Sequence, residues 1–404
     1  MLPVPEARAR ILAAAAPLAS ERLTLSSALF RVLAEDVFSG RALPAHDASM
    51  RDGYALRAQD VTATSEAEPV RLKVTARSAA GHPSPTGVGP GEAARILTGA
   101  QVPAGADAVV MQEHTRVEGD EVLVLAPVGA GDFVRPRGSE TQANALALPR
   151  GTLLTPAAIG LLAELGRCVV PVHQRPRVAL LATGDELCEL DAPPGDRIVD
   201  SNTWGLSSQV LAAGGEPVRL PIARDDLPQI ERALASAARC EVVLTSAGIS
   251  VGERDFVKEA LANLGIALDF WQVAMRPGKP FAFGARGAQL FFGLPGNPTS
   301  GMVCFEQFVR PALLRLQGRA IVERPLLRAV LERPARKEKG LTFFVRAATR
   351  VEDGRLFTQP VSRQDSGLVS SMATANSLIV LGPELERAKA GDEVFVQPLD
   401  GFGT

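Results

Sequence analysis

Apolar positions in the first 38 residues recur at helical spacing. The stretch PEARARILAAAAP predicts an Ala-rich amphipathic helix stopped by Pro17, and LTLSSALFRVLAED predicts a second helix. From 40 to 137 the pattern shortens. VRLKVTAR, AARILTG, DAVVMQEHTRV and EVLVLAP are strand-like runs between Gly and Pro clusters, which predicts an all-β unit. Helical spacing returns in TPAAIGLLAELG, where Pro156 suits the first turn of a helix. The β unit (40–137) therefore reads as an insertion into a small helical unit made of 1–39 and 138–172.

From 173 the period changes again. PRVALLATG, EPVRLPIAR, CEVVLTSAG and QLFFGLPG are strands, three of them near-continuous apolar runs. They alternate with helices in SNTWGLSSQVLAAGG, DDLPQIERALASAAR, ERDFVKEALANLG and NPTSGMVCFEQFVRPALLRLQG. Strands buried on both faces, alternating with helices, predict a doubly wound, mostly parallel sheet over 173–319. LLRAVL, LTFFVRAATRV, RLFTQPV, SLIVL and DEVFVQPL return to strand spacing and predict a small C-terminal barrel or sandwich over 320–404. The fold class is thus multidomain α/β plus β.

Bulk properties narrow the function. The chain has 404 residues, more than one hydrophobic core usually supports. The formal net charge of -2 argues against a nucleic-acid partner. The N-terminus has charges inside its apolar stretch, unlike a signal peptide, and no apolar run approaches a membrane span. Cys168, Cys188, Cys240 and Cys304 are scattered without CxxC spacing, which suits a reducing compartment. A cytoplasmic protein with no membrane partner is expected.

Ligands of open parallel sheets bind beyond the carboxyl ends of the strands. The loops assigned there are polar and Gly-rich: ATGDEL (182–187), DSN (200–202), RDD (224–226), TSAGISVGERD (245–255), RPGKP (276–280) and LPGNP (294–298). Thr183, Gly184, Ser246, Gly248 and Ser250 precede helices and can turn amides and hydroxyls toward an anion. Arg276 and Lys279 can neutralise phosphate or another oxyanion. Glu186, Asp226 and Asp255 can hold a hard cation such as Mg2+. Each loop also has a bland explanation. Asp185, Asp225 and Asp226 suit helix caps, RPGKP a surface turn, and LPGNP a strand-to-helix turn with Pro298 opening the helix. Their force is collective.

Taken in order, EARARIL, LPAHDASMRDGYA, ILTGAQVPAGADAVV, RPRGSE, LATGDEL, DSN, SAGISVGERD, RPGKPFAFG, LPGNPTS, FFVR and SGLVSSMATAN resemble the molybdopterin molybdenumtransferase family. This is MoeA in bacteria and the E domain of gephyrin-type proteins. The resemblance covers nearly the whole chain. It implies a homodimer, with adenylated molybdopterin, molybdate and Mg2+ as substrates and cofactor, and AMP as a product. It also implies exchange with molybdopterin adenylyltransferase upstream and with molybdoenzyme maturation proteins downstream. Carried over residue by residue, it implies catalytic roles for Asp52, Glu186, Asp226 and Asp255, the last three as metal ligands. Substrate contacts are implied for Thr98, Arg135, Arg137, Thr183, Gly184, Asp185, Ser201, Asn202, Ser246, Gly248, Ser250, Pro295, Gly296, Asn297 and Pro298. Ser250, Arg276, Lys279, Pro280, Arg346 and Ser366 match the molybdate cradle, and Asp52 and Thr98 match residues that reach the cleft across a dimer interface. The chain departs from the family pattern at Phe30, at Ala247 (often Gly), at Glu140 (often Asp) and at Arg276 (often Lys). Molybdopterin adenylylation and a non-catalytic scaffold are the rival expectations.

Overall fold

The computed structural model describes residues 1–192, 195–248 and 256–403. Its centre is a six-stranded sheet. The elements are β1 (Arg177–Ala182), α1 (Asn202–Ala212), β2 (Glu216–Arg219), α2 (Leu227–Ser236), β3 (Val242–Ser246), α3 (Phe256–Asn263), β4 (Ala267–Gln272), β5 (Pro280–Arg286), β6 (Gln289–Leu294) and α4 (Pro298–Cys304). The order is β2-β1-β3-β6-β5-β4. The first four strands are parallel, and β5 runs antiparallel to both of its neighbours.

Side-chain alternation explains the two layers of helix. Val178 and Leu180 of β1 face Leu206 and Val210 of α1 in one core. Ala179 and Leu181 face Ile230 and Leu234 of α2 and Val257 and Ala260 of α3 in the other. The long C-terminal helix expected from the sequence is interrupted. A π turn, Phe305–Val309, separates α4 from a helix over Arg310–Leu316 and buries Glu306 and Gln307.

The N-terminal helix Val4–Ala14 buries Val4, Ala7 and Ile11 in the same core as β1 and α1, although the sequence reading grouped it with 138–172. Leu2 pairs with Val273, which fixes the chain start against the central unit. The second helix expected, over LTLSSALFRVLAED, is absent. Ser20–Thr24 is a strand paired antiparallel with Val169–His173, followed by a short 3-10 turn, Leu25–Ser27. Phe30 then takes φ 60, which ends any helical run there. The helix Pro156–Glu164 is capped by Thr155, whose side chain accepts from the Ala158 amide, with Pro at the first turn.

Residues 53–124 contain a six-stranded sheet, as the Gly/Pro-punctuated runs predict. Two short ribbons tie its flanks together. Val37–Phe38 pairs with Leu146–Leu148, and Ala48–Ser49 with Val134–Arg135. The C-terminal strands close into a barrel. Thr342–Glu352 pairs with both Arg355–Pro360 and Ser377–Leu381, and the circuit is completed through Leu327–Leu331 and Glu393–Pro398.

One strand joins the barrel to the centre. Met275–Arg276 pairs with Thr342 and Phe343 of the barrel rather than with the central sheet. The RPGKP loop keeps the strand-end place that the sequence reading gave it, because it joins the carboxyl end of β4 to the start of β5, where Gln272 pairs with Pro280. It also lies on the seam between the two units. DSN, by contrast, follows a two-stranded ribbon, Leu187–Cys188 with Ile198–Val199, and not a strand of the main sheet.

Candidate active site between the central sheet and the barrel

The strand ends β1, β3 and β6 carry a connected polar group. The Asn202 side-chain amide at the start of α1 donates to Ser246 Oγ at 2.8 Å and to the Gly296 carbonyl at 2.7 Å. Three oxygens here are buried and find no partner among the described residues: Thr183 Oγ1, Thr245 Oγ1 and Asn202 Oδ1. Unsatisfied buried polar atoms are costly, so a cluster of them at strand ends points to a ligand. The space is made by glycine. A Cβ on Gly248 would lie 2.3 Å from Val257 Cγ2 and 3.0 Å from Thr183 Oγ1, at φ +75. Ala247 beside it is also left-handed, at φ 74, where a Cβ is strained. Ser201 does not cap α1. Asp200 does so, accepting from the Thr203 amide at 3.1 Å.

The acids sit on the neighbouring loops. The loop after β1 is stitched to the loop after β2: the Gly184 amide donates to the Ala223 carbonyl, and Arg224 donates to the Asp185 carbonyl at 2.7 Å. Of the two aspartates that open α2, Asp226 is the helix cap, accepting from the Gln229 amide at 3.2 Å. Asp225 faces the other acids. Partial desolvation, then the charges of Asp185 and Glu186, push its carboxyl above the ordinary range. The sequence reading placed the functional acid at Asp226. The Pro that follows at the first turn of α2 was the available sign that Asp226 caps. Among the described residues no three His, Cys, Asp or Glu side chains are arranged to hold an ion. Ser250 and Asp255 lie outside the described residues.

A cleft of about 1220 Å³ opens between this region and the barrel. Its walls bring together Arg276, Lys279, Pro280, Pro295 and Asn297 with Arg346 and Ser366 of the barrel side. Asn297 donates to Ser366 Oγ at 3.0 Å, linking the strand-end group to this cleft. Pro298 opens α4 beside it. Gly278 allows the loop to close on α4, since a Cβ there would lie 2.3 Å from Cys304 Sγ. Arg346 is the feature most out of place for a purely structural role. Its side chain is 1% exposed, its Nε has no partner, and its Nη2 reaches only the carbonyls of Arg363 and Asp365 at 3.5 and 3.3 Å. Burial pulls its pKa down, against the opposing charge of Asp365, which makes no ion pair with it. A buried guanidinium without a carboxylate partner invites an anion. The sequence reading missed Arg336, Lys337, Gln364 and Asp365, which also line the cleft, and gave no role to Phe343 of the FFVR string, which lines it too. No motif marks the first four, because separate barrel segments bring them there.

The remaining predicted residues lie elsewhere in the chain. Asp52 accepts from both the amide and the hydroxyl of Thr98, each at 2.7 Å. These bonds, with Arg95 nearby, hold its carboxyl below the usual range. Both residues are exposed on the inserted β unit, and neither lines the cleft of their own chain. Arg135 pairs with Glu140 at 2.6 Å, and the Arg137 amide donates to Asp47 at 2.7 Å.

A doubly wound sheet with unsatisfied hydroxyls at its strand ends, next to a basic cleft, defines an enzyme-like fold that handles an oxyanion-bearing ligand. Three family models match in succession: "MoeA N-terminal region (domain I and II)" over 2–166, "Probable molybdopterin binding domain" over 179–315 and "MoeA C-terminal region (domain IV)" over 328–399. The molybdopterin molybdenumtransferase of Nostoc sp. is 37% identical over 94% of this chain and 89% of its own length. That of Haemophilus influenzae is 34% identical over 99% of both. The crystal structure of the molybdopterin biosynthesis moeA protein from Pyrococcus horikoshii superposes with TM-score 0.86 at 29% identity, covering 99% of this chain and 100% of that one. The chain belongs to the molybdopterin molybdenumtransferase (MoeA) family.

Proposed function

We propose that this enzyme inserts molybdenum from molybdate into adenylated molybdopterin and releases AMP; its relatives' name, molybdopterin molybdenumtransferase, supports the transfer of molybdenum. The single observation that carries the reading is the meeting of Arg276, Lys279, Arg346 and Ser366 in one cleft, with Arg346 Nε unpartnered. The three cations offset a tetrahedral dianion, and the Ser366 hydroxyl can donate to one of its oxygens. Ser250, from the loop after β3, is assigned to the same cradle.

The strand-end group takes the phosphate-bearing part of the substrate. Thr183, Ser246 and the amides of Gly184 and Gly248 offer donors, while Asn202 Oδ1 accepts an N–H or O–H of the ligand. Asp185, Ser201, Pro295, Gly296, Asn297 and Pro298 shape that pocket. Glu186 and Asp255 are assigned as metal ligands, with Asp226 and the neighbouring Asp225. Asp225, raised by partial desolvation and then by the charges of Asp185 and Glu186, stands among carboxylates that suit a hard divalent cation. Mg2+ bound there would neutralise phosphate charge and polarise the phosphoanhydride. Asp52 and Thr98, preformed as a pair outside their own cleft, are assigned to the site of a second copy, with Arg135 and Arg137 on the same unit. The enzyme is thus read as a cytoplasmic homodimer that takes substrate from molybdopterin adenylyltransferase and passes product to molybdoenzyme maturation proteins. Divisions near 40, 138, 173 and 320 are its proposed domain limits. No helix among the described residues is long and apolar enough to cross a membrane.

The test is incubation with adenylated molybdopterin, molybdate and Mg2+, following AMP and molybdenum incorporation. AMP release that needs all three, and that Asp255→Asn abolishes in a folded protein, supports the reading. Consumption of ATP with free molybdopterin instead would establish adenylylation, and no turnover in either assay would leave a binding protein.

A further inference from the structure

The cleft holds more positive charge than one small dianion needs. Five basic side chains line it, Arg276, Lys279, Arg336, Lys337 and Arg346, against two acidic ones, Glu338 and Asp365. A dianion in the inner cradle leaves one of the three surplus charges uncompensated.

That surplus has a place. Ala335–Arg336 and Arg387–Ala388 form a two-stranded antiparallel ribbon in which Arg336 stands directly opposite Arg387. Residues opposite one another in such a ribbon project from the same face with Cβ atoms about 4.5–5.5 Å apart, and like charges there repel. Both arginines are exposed. Neither side chain has a hydrogen bond or ion pair with a described residue, and the nearby Glu386 is engaged by Lys339 at 3.4 Å. The ribbon is not loose. The Lys337 ammonium donates to the Leu341 carbonyl at 2.8 Å and lies 5.5 Å from the Phe343 ring centroid. Arg276 approaches the same ring at 5.7 Å, so the ribbon and the inner cradle share one platform.

We propose that Arg336 and Arg387 form a second anion subsite at the mouth of the cleft, which grips one phosphoryl group of the substrate's diphosphate, the strand-end group taking the other, while the inner cradle holds the oxyanion. The inference rests on the molybdenum-insertion reading for the identity of the substrate, but the subsite itself rests on the ribbon. Two guanidiniums on one face match the spacing of phosphoryl oxygens, and an anion between them removes the repulsion that the register imposes. The occupied ribbon would also position the long substrate by its far end.

The test is calorimetric titration of the full chain with inorganic diphosphate in the presence of saturating molybdate. Wild type should still bind diphosphate, and Arg336→Gln or Arg387→Gln should weaken it about tenfold or more, while Lys279→Gln should weaken molybdate and spare diphosphate. In thermal melts without anions, either glutamine variant should melt no lower than wild type, and diphosphate should raise the wild-type midpoint more than that of the double variant, which keeps only the strand-end group. Full competition between the two anions, or unchanged diphosphate binding in both arginine variants, would overturn the subsite. Molybdate that ignores Lys279→Gln, with diphosphate still sensitive to Arg336, would instead sink the inner cradle and leave the subsite standing. With adenylated molybdopterin, Arg336→Gln should raise KM and spare kcat.

Discussion

Asn297 and Ser366, 69 residues apart, are joined by a 3.0 Å hydrogen bond from the Asn297 side-chain amide to Ser366 Oγ. Around it the Thr299 amide donates to the Ser366 carbonyl at 3.2 Å, and Thr299 Oγ1 donates to the Leu368 carbonyl at 3.1 Å. The loop after the last parallel strand is therefore tied to a barrel loop, and the two walls of the cleft are set by the same contacts. Asn297→Ala removes one exposed bond of this set. Stability should fall by about 0.5–1.5 kcal/mol, and molybdate affinity should fall with it. Loss of affinity without any change in the denaturation midpoint would show that the bond acts only in binding.

Arg346 gives a test that separates binding from folding. Among the described residues its buried guanidinium has no carboxylate within ion-pair distance and an unsatisfied Nε. Arg346→Met replaces a poorly compensated buried charge with an apolar group of similar length. The ligand-free melting temperature should hold or rise, because desolvation of the charge no longer opposes folding. Molybdate should then fail to raise it. A large ligand-free destabilisation would mean that the carbonyl contacts of Arg346 hold the barrel loop.

Ala247 occupies φ 74, and its Cβ would meet a Cβ placed on Gly296 at 3.1 Å. Left-handed backbone costs a residue with a Cβ about 1–2 kcal/mol, part of which glycine returns through the entropy of its unfolded chain. Ala247→Gly should therefore stabilise by about 0.5–1 kcal/mol, read from the denaturant midpoint. Gly296→Ala should destabilise, since the two methyl groups would compete for one space.

Two acids should respond to pH in opposite senses. Asp52 is held below its ordinary pKa by Thr98. Its contribution to stability is present at neutral pH and is lost as pH falls through its folded pKa, below about 4. Thr98→Val deletes the hydroxyl but keeps the amide donor, the larger cause, and should weaken that acid-limb dependence without abolishing it. Asp225 is raised by partial desolvation and by Asp185 and Glu186. An acid raised in the folded state opposes folding at neutral pH, and the penalty fades as pH falls through its folded pKa and is gone below its unfolded value. Asp225→Asn should therefore stabilise the metal-free protein at neutral pH and reduce the stabilisation given by Mg2+. Equal Mg2+ protection in both proteins would remove Asp225 from the cation site.

The central sheet was legible because three of its strands are near-continuous apolar runs that alternate with amphipathic helices. The barrel was legible as a set of strands. Two local readings failed where long-range contacts outweighed helical spacing. Residues 20–24 pair with 169–173, far along the chain, and the helix at 4–14 docks on the central core rather than on its sequence neighbours. The choice between Asp225 and Asp226 depended on helix capping, a local rule with a visible sign. Arg336 and Lys337 carried no sign, because a charged pair on a short ribbon looks like any solvated turn.

The sequence by itself determined the layers, the strand-end loops and the family, since apolar period and ordered motifs are properties of neighbouring residues. Only the tertiary structure decided that RPGKP faces the barrel, that Arg346 is buried without a carboxylate, and that Arg336 opposes Arg387. Those facts depend on how segments tens to hundreds of residues apart are brought into register, and burial and pairing set the charge and geometry of the cleft.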